Sequence, residues 1–105
     1  MKVIYNVTVN IDQEIAQEWL NWMRHTHIPD VMRTGSFLSY KVLKVQALQE
    51  DETGETYAIQ YICPSAEHLK NYQQQYAPAL QAEHNKRYNG KFAAFRTILD
   101  ILDEG

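Results

Sequence analysis

Polar side chains on three predicted strands could form a binding site for a small molecule. Asn6 lies in the first strand, Gln60 in the third and Arg96 in the last. If all three face one side of a shared sheet, two amides and a guanidinium converge on an otherwise apolar surface, which is the usual composition of a ligand pocket. We therefore name them as candidate ligand-binding residues. The alternative is that they set the register of a dimer.

Two histidines and a tyrosine are further candidates, each with a structural alternative that we favour. His27 precedes Pro29 at the predicted end of a helix, where an imidazole can exchange protons near neutral pH or cap the helix. His84 lies beside Arg87 on the second predicted helix, in a group that could hold a small anion or form a solvated basic helix end. Tyr61 could donate a proton or line a cavity for an aromatic ligand, or pack as an ordinary core tyrosine.

The sequence predicts neither a metal site nor a cofactor. His25 and His27 would point about 200° apart on a continuous helix, which does not suit a chelating pair. The single cysteine, Cys63, lacks the spaced Cys or His companions of a zinc site and cannot form an internal disulfide. No catalytic motif is complete, so the sequence leaves open whether the protein is an enzyme.

Hydrophobic patterning predicts four strands. The first alternates apolar and polar side chains, and the others are rich in Leu, Val, Ile, Tyr or Phe. The predicted strands cover residues 3–11, 37–48, 56–63 and 92–102. An acidic, glycine-containing stretch at 50–55 predicts a hairpin turn between the second and third strands.

Two helical regions separate these strands. The first follows Asp12 as N-cap, buries Trp19 and Trp22 on its apolar stripe and ends before Pro29, after which residues 30–34 form a short second segment. The second begins with Ser65 as N-cap and stops at Gly90. Pro78 predicts a kink or a restart within it.

This order of elements predicts one domain, residues 1–105, with an α+β fold of the ferredoxin-like βαββαβ type. Right-handed crossovers place the first and third strands in the centre of an antiparallel sheet with strand order 4-1-3-2. Both helices then cover the same face of the sheet. We expect the uncovered face, with Asn6, Gln60 and Arg96, to pack about 10 Å from the same face of a second copy, as a homodimer.

Charge and targeting signals argue against several classes of partner. Ten basic and thirteen acidic side chains give a formal charge of −3, so we expect no general attraction to nucleic acid. The chain begins directly with a strand pattern, and no apolar stretch is long enough to span a bilayer. We therefore expect a cytoplasmic protein without a membrane partner.

Several segments together resemble an uncharacterised family of small bacterial proteins. The resemblance covers nearly the whole chain and is carried by residues 5–9 (YNVTV), 19–23 (WLNWM), 27–29 (HIP), 56–61 (TYAIQY) and 87–92 (RYNGKF). That family is similar to the dimeric α/β-barrel superfamily, which includes cofactor-free monooxygenases, haem-degrading enzymes, isomerases and ligand-binding proteins. The resemblance implies a dimer of facing sheets, and it carries over no catalytic residue because the family has none established.

Three functions follow as expectations. The first is a homodimeric protein that binds a small apolar or aromatic ligand between the sheet and the helices. The second is a cofactor-independent monooxygenase or isomerase in which Asn6 and Arg96 polarise a carbonyl or enolate, while His27 or a tyrosine moves the proton. The third is a structural or interaction protein whose interior is filled.

Overall fold

The computed structural model of the chain describes residues 1–47 and 53–105 and contains one antiparallel sheet. The strand order is β2-β3-β1-β4, which confirms the predicted order read from the other edge. The strands are β1 (Val3–Ile11), β2 (Ser39–Val45), β3 (Glu55–Cys63) and β4 (Phe92–Asp100). The helices are α1 (Ala16–Trp22), α2 (Ile28–Arg33), α3 (Ala66–Gln75) and α4 (Ala77–Arg87). No helix in these two described ranges is long and apolar enough to cross a bilayer.

The helices cover one face of the sheet, as the element order predicts. Tyr5 pairs with Tyr61, and the odd-numbered residues of β1 and β3 form the buried side of the sheet. This side packs against Trp19 of α1, Ile28 of α2 and Leu69 of α3, all essentially inaccessible to solvent. Since side chains alternate between faces along a strand, the even-numbered residues of β1 and β3 lie on the face left open by this chain.

The first helical region does not end before Pro29, which corrects the prediction. A short 3₁₀ turn (Gln13–Ile15) leads into α1, a π-helical turn (Met23–His27) follows, and α2 continues through Pro29. Ile28 donates its backbone N–H to the carbonyl of Met23, five residues earlier. The wider turn relieves the contact that a proline ring makes with the carbonyl four residues before it, so the helix passes the proline.

The caps of the second helical region agree with the sequence. The Ser65 hydroxyl accepts the backbone N–H of His68, as predicted for an N-cap. The helix breaks after Gln75 and restarts at Ala77 with Pro78 in its first turn. Gly90 has a φ of 76°, which confirms the predicted stop. By contrast, the Asp12 side chain makes no capping hydrogen bond.

Strand β4 has the opposite facing from the one predicted. Val7 pairs with Arg96 and Asn6 pairs with Thr97, so Arg96 lies on the helix-covered face and Asn6 on the open face. The predicted grouping of Arg96 with Asn6 and Gln60 is therefore wrong. The physical reason is that β4 carries apolar residues at both odd- and even-numbered positions, so its pattern does not indicate which side faces the helices. A shift of one residue transfers every side chain to the other face.

Other predicted bounds need small corrections. Strand β2 is shorter than residues 37–48, and β4 ends at Asp100 rather than at residue 102. The first half of the hairpin turn predicted at 50–55, residues 50–52, lies outside the described residues.

Two glycines with the same backbone conformation allow a matched test of the close approach of Gly54 to the end of β1. Gly54 and Gly90 have φ values of 74° and 76°. A Cβ on Gly54 would lie 2.8 Å from the Ile11 carbonyl oxygen, whereas a Cβ on Gly90 would meet nothing within 4 Å. We expect Gly90→Ala to lower the free energy of unfolding by about 1 kcal/mol through backbone strain alone. Gly54→Ala should lower it by about 1 to 3 kcal/mol more, since the contact forces a shift.

Urea denaturation of both variants measures this difference. Equal losses of stability in the two variants would contradict the close approach of Gly54 to the end of β1.

Candidate functional site

A cavity lies between the helix-covered face of the sheet and the helices. Its apolar wall combines strand and helix residues: Val7, Val9, Ile59, Ala94, Met23, Val31, Leu80 and Phe92. An equal number of lining residues carry polar groups, namely Tyr5, Tyr61, Tyr72, His27, His84, Gln81, Asn85 and Arg96. A pocket that combines an apolar wall with convergent polar groups is the common form of a small-molecule site.

The cavity is narrow and opens to solvent. Counted with the space at its mouth, the empty volume is about 520 Å³, of which about 40 Å³ is wide enough for the centres of water-sized molecules. That space is large enough to admit water. The volume therefore suits a small molecule better than a bulky one.

One end of the cavity is formed by two histidines and the aromatic rings that hold them. The rings of His27 and His84 are 5.8 Å apart between centroids, and Trp22 lies 5.3 Å from His27 and 5.9 Å from His84. Phe92 of β4 contacts His84 edge-on at 4.5 Å. The π-helical turn makes this group possible, because on a regular α-helix Trp22 and His27 would point about 140° apart.

His27 contributes a buried nitrogen without a hydrogen-bond partner. Its Nδ1 is inaccessible to solvent, and no described residue bonds to it. Burial, followed by the charge of His84, lowers the pKa of His27 from 6.5 to about 4; Asp30 opposes this shift, and Arg96 adds slightly to it. His27 is therefore neutral at physiological pH and is not the helix cap that the sequence favoured.

His84 is held by a buried hydrogen bond that joins two helices. The indole Nε1 of Trp19 on α1 donates to Nε2 of His84 on α4 at 2.9 Å. His84 is 8% exposed, so it is not part of a solvated helix end, which corrects the favoured interpretation. Burial lowers its pKa, the Asn85 side chain opposes this shift, and Arg96 adds to it.

The opposite wall is built from tyrosines. Tyr61 packs 6.3 Å from Tyr5, while Phe37 lies 4.9 Å from Tyr61 and 4.7 Å from Tyr72. Burial, aided by neighbouring tyrosines, raises the pKa of Tyr61 and of Tyr72. Both phenols therefore stay protonated and can act as hydrogen-bond donors.

Arg96 supplies positive charge at the exposed side of the cavity. No acidic side chain in the described residues forms an ion pair with it. Its charge lowers the pKa of both cavity histidines and of Tyr72. The cavity thus combines a solvent-facing cation with neutral hydrogen-bonding groups inside.

The structure brings together four of the six candidate residues: His27, Tyr61, His84 and Arg96 line the cavity. Asn6 and Gln60 do not join them, because they pair with each other across β1 and β3 on the open face. No cluster of three or more potential metal-ligating side chains occurs within residues 1–47 and 53–105.

The sequence interpretation missed Trp19 as a partner of His84, and Asn85 and Gln81 as lining residues. One signal was present: the predicted apolar stripe of the second helical region, Tyr72, Tyr76 and Leu80, continues at the same spacing to His84. No sequence pattern pairs Trp19 with His84 across 65 residues.

The low pKa of His27 predicts a defined pH dependence of stability. Below pH 6.5 His27 of the unfolded chain binds a proton, whereas His27 of the folded protein stays neutral down to about pH 4. The contribution of neutral His27 to the free energy of unfolding is therefore complete above pH 6.5 and is lost as the pH falls to about 4. The loss amounts to about 3 kcal/mol. In His27→Phe we expect this part of the pH dependence to disappear, and stability at pH 7 to be retained because the unpartnered Nδ1 is gone.

Urea denaturation between pH 4 and 7 measures the effect, with Met23→Leu as a control that changes the same cavity without a titrating group. Parallel stability curves for the unsubstituted protein and His27→Phe would show that His27 titrates normally in the folded state.

Comparisons with known proteins relate this architecture to one family and one fold. Residues 2–102 match the model of a domain of unknown function, DUF4286. No curated protein matches the sequence. Among solved structures, the cofactor-independent oxygenase SnoaB from Streptomyces nogalater superposes with a TM-score of 0.68 at 9% identity, over 98% of this chain and 95% of that one.

Two more structures show how widely the fold is used. A putative antibiotic biosynthesis monooxygenase from Bacillus cereus has a TM-score of 0.65 at 12% identity, over 99% of this chain and 96% of that one. The de novo designed protein Foldit4 has a TM-score of 0.64 at 8% identity, over 95% of this chain and 98% of that one. Because a designed sequence also adopts this fold, the structural similarity shows the fold and indicates no activity. The fold is the predicted ferredoxin-like one, and the chain belongs to the DUF4286 family of unknown function.

Proposed function

We propose that the protein binds a small planar aromatic acid in the cavity between the sheet and the helices. The observation that carries the proposal is the juxtaposition of neutral, partly buried His27, whose buried Nδ1 has no partner in the described chain, with Arg96. Buried polar atoms without partners cost free energy. A ligand that satisfies such groups gains affinity from them.

The chemistry of the lining residues supports this ligand class. Aromatic rings at both ends of the cavity favour a flat ring, which can stack or meet them edge-on. An acidic group on the ligand would face Arg96, and a guanidinium binds a carboxylate through two parallel hydrogen bonds. The narrow width of the cavity favours a single ring system.

The basicity of His27 favours binding over proton abstraction. A phenol has an ordinary pKa of about 10, and His27 has a pKa of about 4. Transfer of the proton across about six pKa units costs about 8 kcal/mol unless the bound anion and Arg96 reduce the gap. His27 is thus better suited to accept a hydrogen bond than to remove a proton from a weak acid.

A second candidate is a cofactor-independent oxygenase or isomerase acting on an acidic enol or quinol. Arg96 would stabilise the enolate and His27 would accept the proton, a step that becomes feasible when the substrate is acidic. The likeness to SnoaB, described as a cofactor-independent oxygenase, shows that the two proteins share a fold and does not extend to the activity. Oxygen uptake on addition of a quinol would favour it over simple binding.

We also propose that two copies pack through their open sheet faces. Asn6 is 8% exposed, its Oδ1 has no partner within the described residues, and it shares this face with the large exposed side chains of Phe95, Leu99 and Leu43. A sheet face of this kind is typically covered by a second sheet at about 10 Å. A cytoplasmic location of the dimer stays a prediction from the sequence.

Matched probes test the ligand class. Salicylate and salicylamide share a ring and a hydroxyl but differ in charge, so we expect salicylate to bind about fivefold more tightly, equivalent to about 1 kcal/mol for a partly exposed charge pair. Arg96→Gln should remove this preference. The two tryptophans, Trp19 and Trp22, lie beside the cavity, so their fluorescence reports the titration.

Arg24→Gln is the control, because it makes the same change of net charge at an exposed position on the π-helical turn. Equal affinities for the two probes, or an Arg96→Gln variant that keeps the preference, would refute the proposed role of Arg96.

The proposed dimer has its own test. Phe95 is 62% exposed on the open face. Phe95→Lys would place a charge between the two sheets, and we expect light scattering to change from twice the subunit mass to the mass of one subunit. Leu102→Lys is the control, since Leu102 is 83% exposed and follows the end of β4. A protein that is monomeric without any substitution would rule out this interface.

A further inference from the structure

The hydrogen bond between Trp19 and His84 has a fixed direction. An indole Nε1 carries a hydrogen and has no acceptor lone pair, so Trp19 can only donate. The bond is 2.9 Å long, and Trp19 has no solvent-accessible surface. His84 Nε2 must therefore present its lone pair to the indole.

This direction determines the tautomer of His84. A neutral imidazole carries one N–H, and since Nε2 accepts, the hydrogen is on Nδ1. A doubly protonated ring would place two N–H groups against each other inside the core and leave both without an acceptor. The bond therefore selects the neutral ring as well as the position of its hydrogen.

The remaining ring nitrogen, Nδ1, is not among the buried side-chain atoms that lack a partner. His84 itself lines the cavity. Asn85, the next residue, also lines the cavity. An Nδ1–H at this place is a donor available to a ligand or to the Asn85 side chain.

We propose that Trp19 is a positioning residue that makes His84 a hydrogen-bond donor to the contents of the cavity. His84 then recognises an acceptor oxygen and does not act as a base. The tautomer follows from the protein alone, whereas the step from donor to ligand recognition rests on the proposed function. A bound ligand would present a carboxylate, phenolate or carbonyl oxygen to His84.

The tautomer can be read directly by nitrogen NMR of the ¹⁵N-labelled protein without ligand. Long-range ¹H–¹⁵N correlation spectra distinguish protonated from unprotonated ring nitrogens, and the loss of signals in His84→Gln assigns them. We expect Nδ1 to be protonated and Nε2 unprotonated. The opposite assignment, or a ring exchanging between both forms, would overturn the proposal without any variant of Trp19.

Two variants test the cause. Trp19→Phe removes the donor, and we expect His84 to lose its single Nδ1–H form. Tyr57→Phe is the matched control, because Tyr57 packs 5.4 Å from Trp19 without taking part in the bond. If Trp19→Phe keeps the Nδ1–H form, another group fixes the ring and Trp19 is not the positioning residue. If Trp19→Phe does not fold, the spectrum of the unsubstituted protein still decides the tautomer.

The contribution of the Trp19–His84 bond to ligand binding is measured as the affinity for salicylate. We expect Trp19→Phe to bind it about tenfold more weakly and Tyr57→Phe to bind it as the unsubstituted protein does. Equal affinity in both variants would overturn the donor role. Absence of salicylate binding to the unsubstituted protein would refute the proposed ligand class, while the NMR result would still decide the assignment of Trp19 and His84.

Discussion

The buried hydrogen bond from Trp19 to His84 is the interaction on which the arrangement of the cavity depends. It connects Trp19 of α1 with His84 of α4, which are 65 residues apart in the chain. Both partners are desolvated, so the bond cannot be exchanged for water at low cost. The position of His84 in turn determines where Phe92, Trp22 and His27 can pack around it.

The π-helical turn is the second local feature that shapes the site. It adds width to the helix just before Pro29 and brings Trp22 and His27 to the same side. Turns of this kind occur often at functional sites, where they re-aim one side chain at the expense of regular hydrogen bonding. Here the side chain is His27, which enters an apolar environment with one nitrogen unsatisfied. The fold therefore tolerates a cost at the place where a ligand would meet it.

Much of the fold was predictable because its signals are local. The alternation in β1, the Ser65 cap and the Gly90 stop each follow from a few neighbouring residues. The face of the sheet on which Arg96 lies was not predictable, because β4 has apolar residues at both odd- and even-numbered positions. Only its pairing with β1 determines which face Arg96 occupies. The roles of His27 and His84 escaped prediction for a related reason. A π-helical turn and a contact across 65 residues leave no periodic trace in the sequence.

The proposed ligand site is the space between the sheet and the helices. The most direct measurement is native mass spectrometry of the protein purified from its own cells, beside Ala94→Trp, in which an indole would fill the cavity from β4. We expect extra mass on the unsubstituted protein that is absent from Ala94→Trp. The same added mass on both proteins would place the ligand elsewhere and rule out this site.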